Sequence, residues 1–212
     1  MKIIIFGVSS KSSVGYLLGQ QLNAHDKLQI IYASRSGKLG YKCDITNPRF
    51  VQKLMSKEKS DVIINAAGVF STPQKLGNFN DWSKVKQHIL ARSFGSLILA
   101  DAAIKSSNVK KIIMLGGRAT SSDAGFAAYS TSNGALYALT QFISQYTKLS
   151  VYYVDLPMIT DSTMAKALLG SGPKLTAIKS TDVKMITAVI KKILSNKYRD
   201  GTRIIVNKES KL

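Results

Sequence analysis

Acidic residues are scarce: 12 Asp and Glu stand against 30 Lys and Arg in 212 residues, a formal net charge of +18. Cysteine is scarcer still. The lone Cys43 excludes an intramolecular disulfide, and it has no companions at metal-ligand spacing. Histidine is limited to His25 and His88, far apart in the chain. Both read as surface or helix residues, and no metal site is expected. Long apolar runs are absent; IIIFGV near the N-terminus is too short for a membrane span or a signal-peptide core. A soluble, cytoplasmic protein with no membrane partner is expected.

The excess of base suits nucleic acid, anionic membrane or acidic substrates. The basic residues are dispersed, however, and the densest stretch, KKILSNKYRDGTR at 191–203, has no interleaved stacking aromatics. It reads as a solvated lysine-rich surface that also attracts anionic cofactors and substrates. Nucleic acid is not expected as a partner.

Hydrophobic residues, at 45%, are those of a folded protein, and the length suits one α/β domain over 1–212. Strand-like runs occur at 2–6, 28–33, 41–43, 61–65, 110–115, 150–156 and 203–206. Most are apolar on both faces, as buried parallel strands are. Helical stripes fall between them: Val14, Leu17, Leu18, Leu22; Phe50, Val51, Leu54, Met55; Val85, Ile89, Phe94, Leu97, Ile98, Ile104; Leu136, Leu139, Phe142, Ile143; and Val183, Ile186, Val189, Ile190, Leu194. The alternation predicts a Rossmann-like doubly wound parallel sheet of about seven strands with helices on both faces. Only SRSGKLG separates Ala33 from Tyr41, too little for the usual crossover helix, so that helix is expected to be missing or vestigial.

Three stretches point to a dinucleotide. In FGVSSKSSVG, at 6–15, Gly7 permits a tight turn out of the first strand. Ser9, Ser10, Ser13, Val14 and the backbone N–H groups there can cradle a pyrophosphate at a helix start. After the second strand, ASRS has no acid to read a ribose 2′-OH but does have Arg35, which suits a 2′-phosphate and favours NADP(H) over NAD(H). After the fourth strand, Asn65, Ala66, Ala67 and Gly68 leave room for a ligand at the sheet edge.

In that order these stretches resemble a short-chain dehydrogenase/reductase over nearly the whole chain. GVSSKSSVG is similar to the serine-rich glycine motif of enoyl-acyl carrier protein reductases, and NAAG to the family's Asn-Asn/Ala-Ala-Gly element. CDIT is similar to the element whose aspartate holds the adenine, which implies Asp44 with Ile45. LPMITDSTM at 156–164 resembles the segment beside the nicotinamide, implying Pro157, Ile159 and Ser162, with Thr160 and Thr163 as neighbours. The resemblance implies a homodimer or homotetramer through the helices near Lys84 and Tyr129.

It also implies a catalytic set of serine, tyrosine, lysine and a helix asparagine. Tyr129 matches the tyrosine, in YSTSN. The serine position is Gly116, the lysine position is Asn133, and the asparagine aligns with Arg92. A tyrosine with its ordinary pKa of ~10 is a poor base near neutrality but can still donate a proton. Asn133 would retain a hydrogen bond to the ribose without the charge. Arg92 or Arg118 would supply a cation if turned inward, and Thr120, Ser121 and Ser122 are substitute hydroxyls. The reading is an NADP(H)-dependent oxidoreductase acting on a carbonyl/alcohol or related small substrate, with Tyr129 and Asn133 as its catalytic pair. The alternative is a non-catalytic dinucleotide-binding sensor or partner protein that has lost the serine and the lysine.

Overall fold

The run Lys2–Phe6 forms β1, and its Ile3, Ile4, Ile5 and Phe6 have no exposed surface. A strand apolar on both faces needs cover on both, which a parallel sheet between helical layers provides. The computed structural model describes residues 1–24, 28–68, 81–117, 127–159 and 180–206. After β1 come α1 (Val14–Asn23), β2 (Gln29–Ser34), β3 (Tyr41–Lys42), α2 (Pro48–Glu58) and β4 (Val62–Asn65). Then follow α3 (Trp82–Ile89), a π-helical segment (Leu90–Phe94), α4 (Gly95–Lys105), β5 (Lys111–Gly117) and α5 (Ala127–Tyr146). The last elements are β6 (Ser150–Leu156), β7 (Met158–Ile159), β8 (Ser180–Thr181), α6 (Val183–Leu194) and β9 (Arg203–Ile205).

Seven strands make one sheet in the order β3-β2-β1-β4-β5-β6-β9, every pair parallel. They are the seven strands legible in the sequence. One core, with Phe6, Ile63, Leu99, Leu136 and Tyr153, lies under α2, α4 and α5. The other, with Ile5, Leu18, Ile186 and Ile190, lies under α1 and α6. The β2–β3 link holds no helix. It turns at Gly37, whose φ of +68° favours glycine, and Cys43 N–H returns to Ser34 O at 2.8 Å. Because all strands run one way, their C-terminal ends share one edge, and the strand order reverses between β1 and β4.

Some expected core positions are not in the core. Phe50 of α2, Phe94, Leu97 and Ile104 around α4, and Phe142 of α5 are each about half exposed. The cause at α4 is the wide turn at Leu90–Phe94, after which small residues face the sheet: Gly95, Ser96, Ala102 and Ala103, with Leu99. A Cβ on Gly95 would stand 2.3 Å from Ile45 Cγ1, so the helix meets the β3–α2 link at closest approach. Among the described residues no helix is long and apolar enough to cross a membrane.

Candidate active site

Gly7 sits where three strands meet. Its N–H donates to Ala33 O at 2.9 Å, and its φ is +92°. A Cβ there would stand 2.5 Å from Ala66 C and Ala67 N. The glycine is therefore required by the β1–β4 crossing itself. Beyond it, Ser9 and Lys11 are exposed and Ser10, Ser13 and Val14 half-buried. Ser13 is the N-cap of α1, yet its hydroxyl does not cap the helix; it donates to Ser10 O at 2.7 Å. The first turn of α1 carries no acid. Among the described residues its leading N–H groups thus have no side-chain cap, a fit for a pyrophosphate.

Arg35 is exposed just past β2, beside Ser36 and Lys38, and no acid lies between Ala33 and Tyr41. Asp44 Oδ1 accepts from Thr46 N–H at 2.9 Å and Thr46 Oγ1 at 2.8 Å, fixing the turn before α2.

Several residues expected to hold cofactor have other duties. Ile45 turns its side chain into the core, leaving only its backbone for a ligand. Asn65 is buried and fully committed. Its Nδ2 donates to Ser96 Oγ at 2.7 Å and faces Met114 Sδ at 3.7 Å, and its Oδ1 accepts from Ala67 N–H at 3.0 Å. It braces β4 against α4. Ile159 is buried in the α1/α6 core. Ala66 and Pro157 are half-buried, and Gly68 is exposed. Ser162, Thr160, Thr163, Arg118, Thr120, Ser121 and Ser122 lie outside the described residues.

Tyr129, in the first turn of α5, is half-buried with its hydroxyl against β5: a Cβ on Gly117 would stand 2.1 Å from Tyr129 Oη. The serine position, Gly116, is closed by a different tyrosine. A Cβ there would stand 2.4 Å from Tyr153 Oη, which donates to Gly117 O. Burial pushes the Tyr153 phenol well up from its ordinary value, so it remains a neutral structural donor.

Asn133 is wholly buried and does not reach outward. Its Oδ1 accepts from Arg92 Nη1 at 2.8 Å and from Gly117 N–H at 3.2 Å. The expected hydrogen bond to a ribose is replaced by a grip on Arg92, so Asn133 positions that arginine. Arg92 does turn inward. It donates to Leu115 O at 3.3 Å, and its Cζ lies 5.2 Å from the Tyr129 ring centroid. Ser96 Oγ, which receives Asn65 Nδ2, donates in turn to Arg92 O.

His88, expected at a surface or on a helix, is on a helix but buried. Its Nε2 lies 3.0 Å from Ser132 Oγ, and its ring 5.8 Å from that of Tyr129. Ser132 spends its one hydrogen on Tyr129 O at 2.9 Å, so His88 Nε2 must be the donor. The sequence signal for this cluster was present in the spacing. His88 and Arg92 are four apart, and Ser132 and Asn133 follow Tyr129 on the facing helix.

The parallel order with its reversal between β1 and β4, the uncapped α1 and a tyrosine at the end of β5 form one constellation. Solved structures repeat its framework. The protein lin1944 from Listeria innocua has 18% identity, covers 98% of this chain and 100% of its own, and gives a TM-score of 0.78. The chain has the short-chain dehydrogenase/reductase fold. A small-chain dehydrogenase in complex with NADPH, at 17% identity and 99% and 98% coverage, gives 0.78. An NAD+-bound xylitol dehydrogenase, at 15% identity and 97% and 96% coverage, gives 0.79. No protein-family model and no curated protein sequence matches the chain. At these identities the likeness carries the fold, and activity has to be argued from the site.

Proposed function

We propose that the chain is an NADP(H)-dependent oxidoreductase that interconverts a carbonyl and an alcohol on a small substrate. The supporting observation is the placement of Tyr129 Oη over Gly117, on the sheet edge that also carries the uncapped start of α1. A bound dihydronicotinamide would supply the hydride. Tyr129 gives its proton to the carbonyl oxygen, and solvent returns one to the phenol. Arg35, with no acid beside it, favours the 2′-phosphate of NADP(H); the NADPH-bound and NAD+-bound relatives are equally similar and do not choose.

Gly116 and the buried Asn133 favour a second reading, a dinucleotide-binding protein without turnover. One experiment separates the two. NADPH and NADH are titrated by fluorescence against wild type and Arg35→Ala, and NADPH consumption is followed over aldehydes, ketones and quinones for wild type and Tyr129→Phe. Tighter NADPH binding that Arg35→Ala weakens, with turnover lost in Tyr129→Phe, is expected. Silence across the panel with NADPH bound selects the second reading. In either reading the protein is a cytoplasmic homodimer or homotetramer. Support comes from the exposed Phe142–Tyr146 pair on α5, rings 4.7 Å apart, and from Leu97 on α4.

A further inference from the structure

Arg92 is a buried charge with no counter-ion among the described residues. Its guanidinium is protonated at any physiological pH, and the residue is only 8% exposed. Its partners are Leu115 O, Asn133 Oδ1 and the face of Tyr129, all neutral. The ion pairs among the described residues are Lys2–Glu58, Lys84–Asp81, Lys105–Asp101 and Arg203–Asp155, and none includes Arg92. Arg203 shows the contrast: its guanidinium has the buried Asp155 as counter-ion. Burying a cation away from an opposite charge carries a large desolvation cost, so its presence here needs a reason.

The unused hydrogen-bond donors give the reason a direction. Arg92 Nε is buried with no acceptor, and Asn133 Nδ2 is buried with none. Arg92 Nη2 has no acceptor among the described residues either. Nε and Nη2 form one edge of the guanidinium, the edge that meets both oxygens of a carboxylate in a fork. Nη2 lies against Gly68, where a Cβ would stand 2.5 Å from it. Gly68 is exposed, and any side chain there would press on the guanidinium. Among the described residues the other ionisable groups facing this corner are His88 from α3, Tyr129 from α5 and Tyr153 from β6, and none of these supplies a carboxylate.

We infer that the corner of Arg92, Gly68 and Tyr129 holds a carboxylate of the substrate, so that the reacting carbonyl belongs to a small oxo acid. The carbonyl rests on the oxidoreductase reading; the anion site does not.

Asn133→Asp provides the decisive variant. It is nearly isosteric and puts a carboxylate oxygen on the atom that already receives Arg92 Nη1 and Gly117 N–H. Giving Arg92 an internal counter-ion should raise the melting temperature and abolish binding of oxamate, measured by calorimetry at fixed ionic strength. Arg92→Gln should weaken oxamate at least about tenfold, the loss of a charge-assisted hydrogen bond, and Arg92→Lys should recover part of it. Several results overturn the inference: no oxamate binding by wild type, unchanged binding in Arg92→Gln, inorganic phosphate binding as well as oxamate, or a lowered melting temperature in Asn133→Asp. Oxamate binding without NADPH consumption on any 2-oxo acid leaves the anion site standing and removes the oxidoreductase reading.

Discussion

A serine placed at position 116 would bring its Cβ to 2.4 Å from Tyr153 Oη and 2.5 Å from a Tyr153 ring carbon, and Tyr153 is wholly buried. Restoring the residue that the resemblance implies therefore overpacks the core, at roughly 1–3 kcal/mol. Gly116→Ser should be destabilised in urea. Tyr153→Val alone leaves a cavity, yet the two together should lose less than the sum, because each relieves the other. Additive losses would show that the two positions do not compete for space. Position 116 was readable as glycine, but its cause was not: Tyr153 lies 37 residues downstream on the neighbouring strand. Arg92 was readable as a possible cation and Asn133 as a departure from lysine. That one grips the other follows from packing of two helices, which spacing along one chain does not encode. That Tyr129 stands in the first turn of a helix was legible from a short local stretch.

Among elements, the strands were the most legible, because an apolar run such as VIIN tolerates few alternatives to a central strand. The two-residue β3 was legible as the short run at 41–43, one residue longer than the strand, and the missing helix before it from chain length alone. The π-helical segment was not, since one extra residue in a turn leaves the local composition unchanged. It shifted which side of α4 meets the sheet and so exposed Phe94, Leu97 and Ile104. The end of α2 carries a different kind of link. Glu58 receives the Tyr41 hydroxyl of β3 and Lys2 Nζ of β1, the latter at 3.2 Å. The Tyr41 hydrogen bond first, then Lys2, hold its carboxyl below the ordinary 4.5. A carboxylate lowered in the folded state stabilises above its unfolded pKa, and that stabilisation is lost as pH falls through the folded one. Glu58→Gln should therefore cost about 1 kcal/mol at neutral pH, with the melting curves of variant and wild type converging as pH drops below 4.5. A constant gap down to strongly acid pH would mean that the charge of Glu58 is irrelevant.

At the scale of the molecule, the doubly wound sheet was predictable from alternation, whereas assembly has to be read from surface. Phe142 and Tyr146 on α5 are 60% and 71% exposed, and Leu97 on α4 is 52% exposed. Under the proposed homo-oligomer these exposed apolar side chains would form the association surface. With a charge of +18 on each copy, they must overcome repulsion, so association should strengthen as salt rises. Sedimentation should find a dimer or tetramer at physiological salt, and Phe142→Glu combined with Leu97→Glu should give a folded monomer. A wild-type monomer at every salt concentration would remove the homo-oligomer.

The crossing at Gly7 bears on how such chains are recognised. Its geometry leaves no room for a side chain whether or not a dinucleotide ever binds, because the obstruction is the backbone of Ala66 and Ala67. A descendant that abandoned its cofactor would keep this glycine merely to fold. Gly7 thus reports on architecture, and a test for a ligand has to be made at positions that the fold leaves free, such as Ser9 and Arg35.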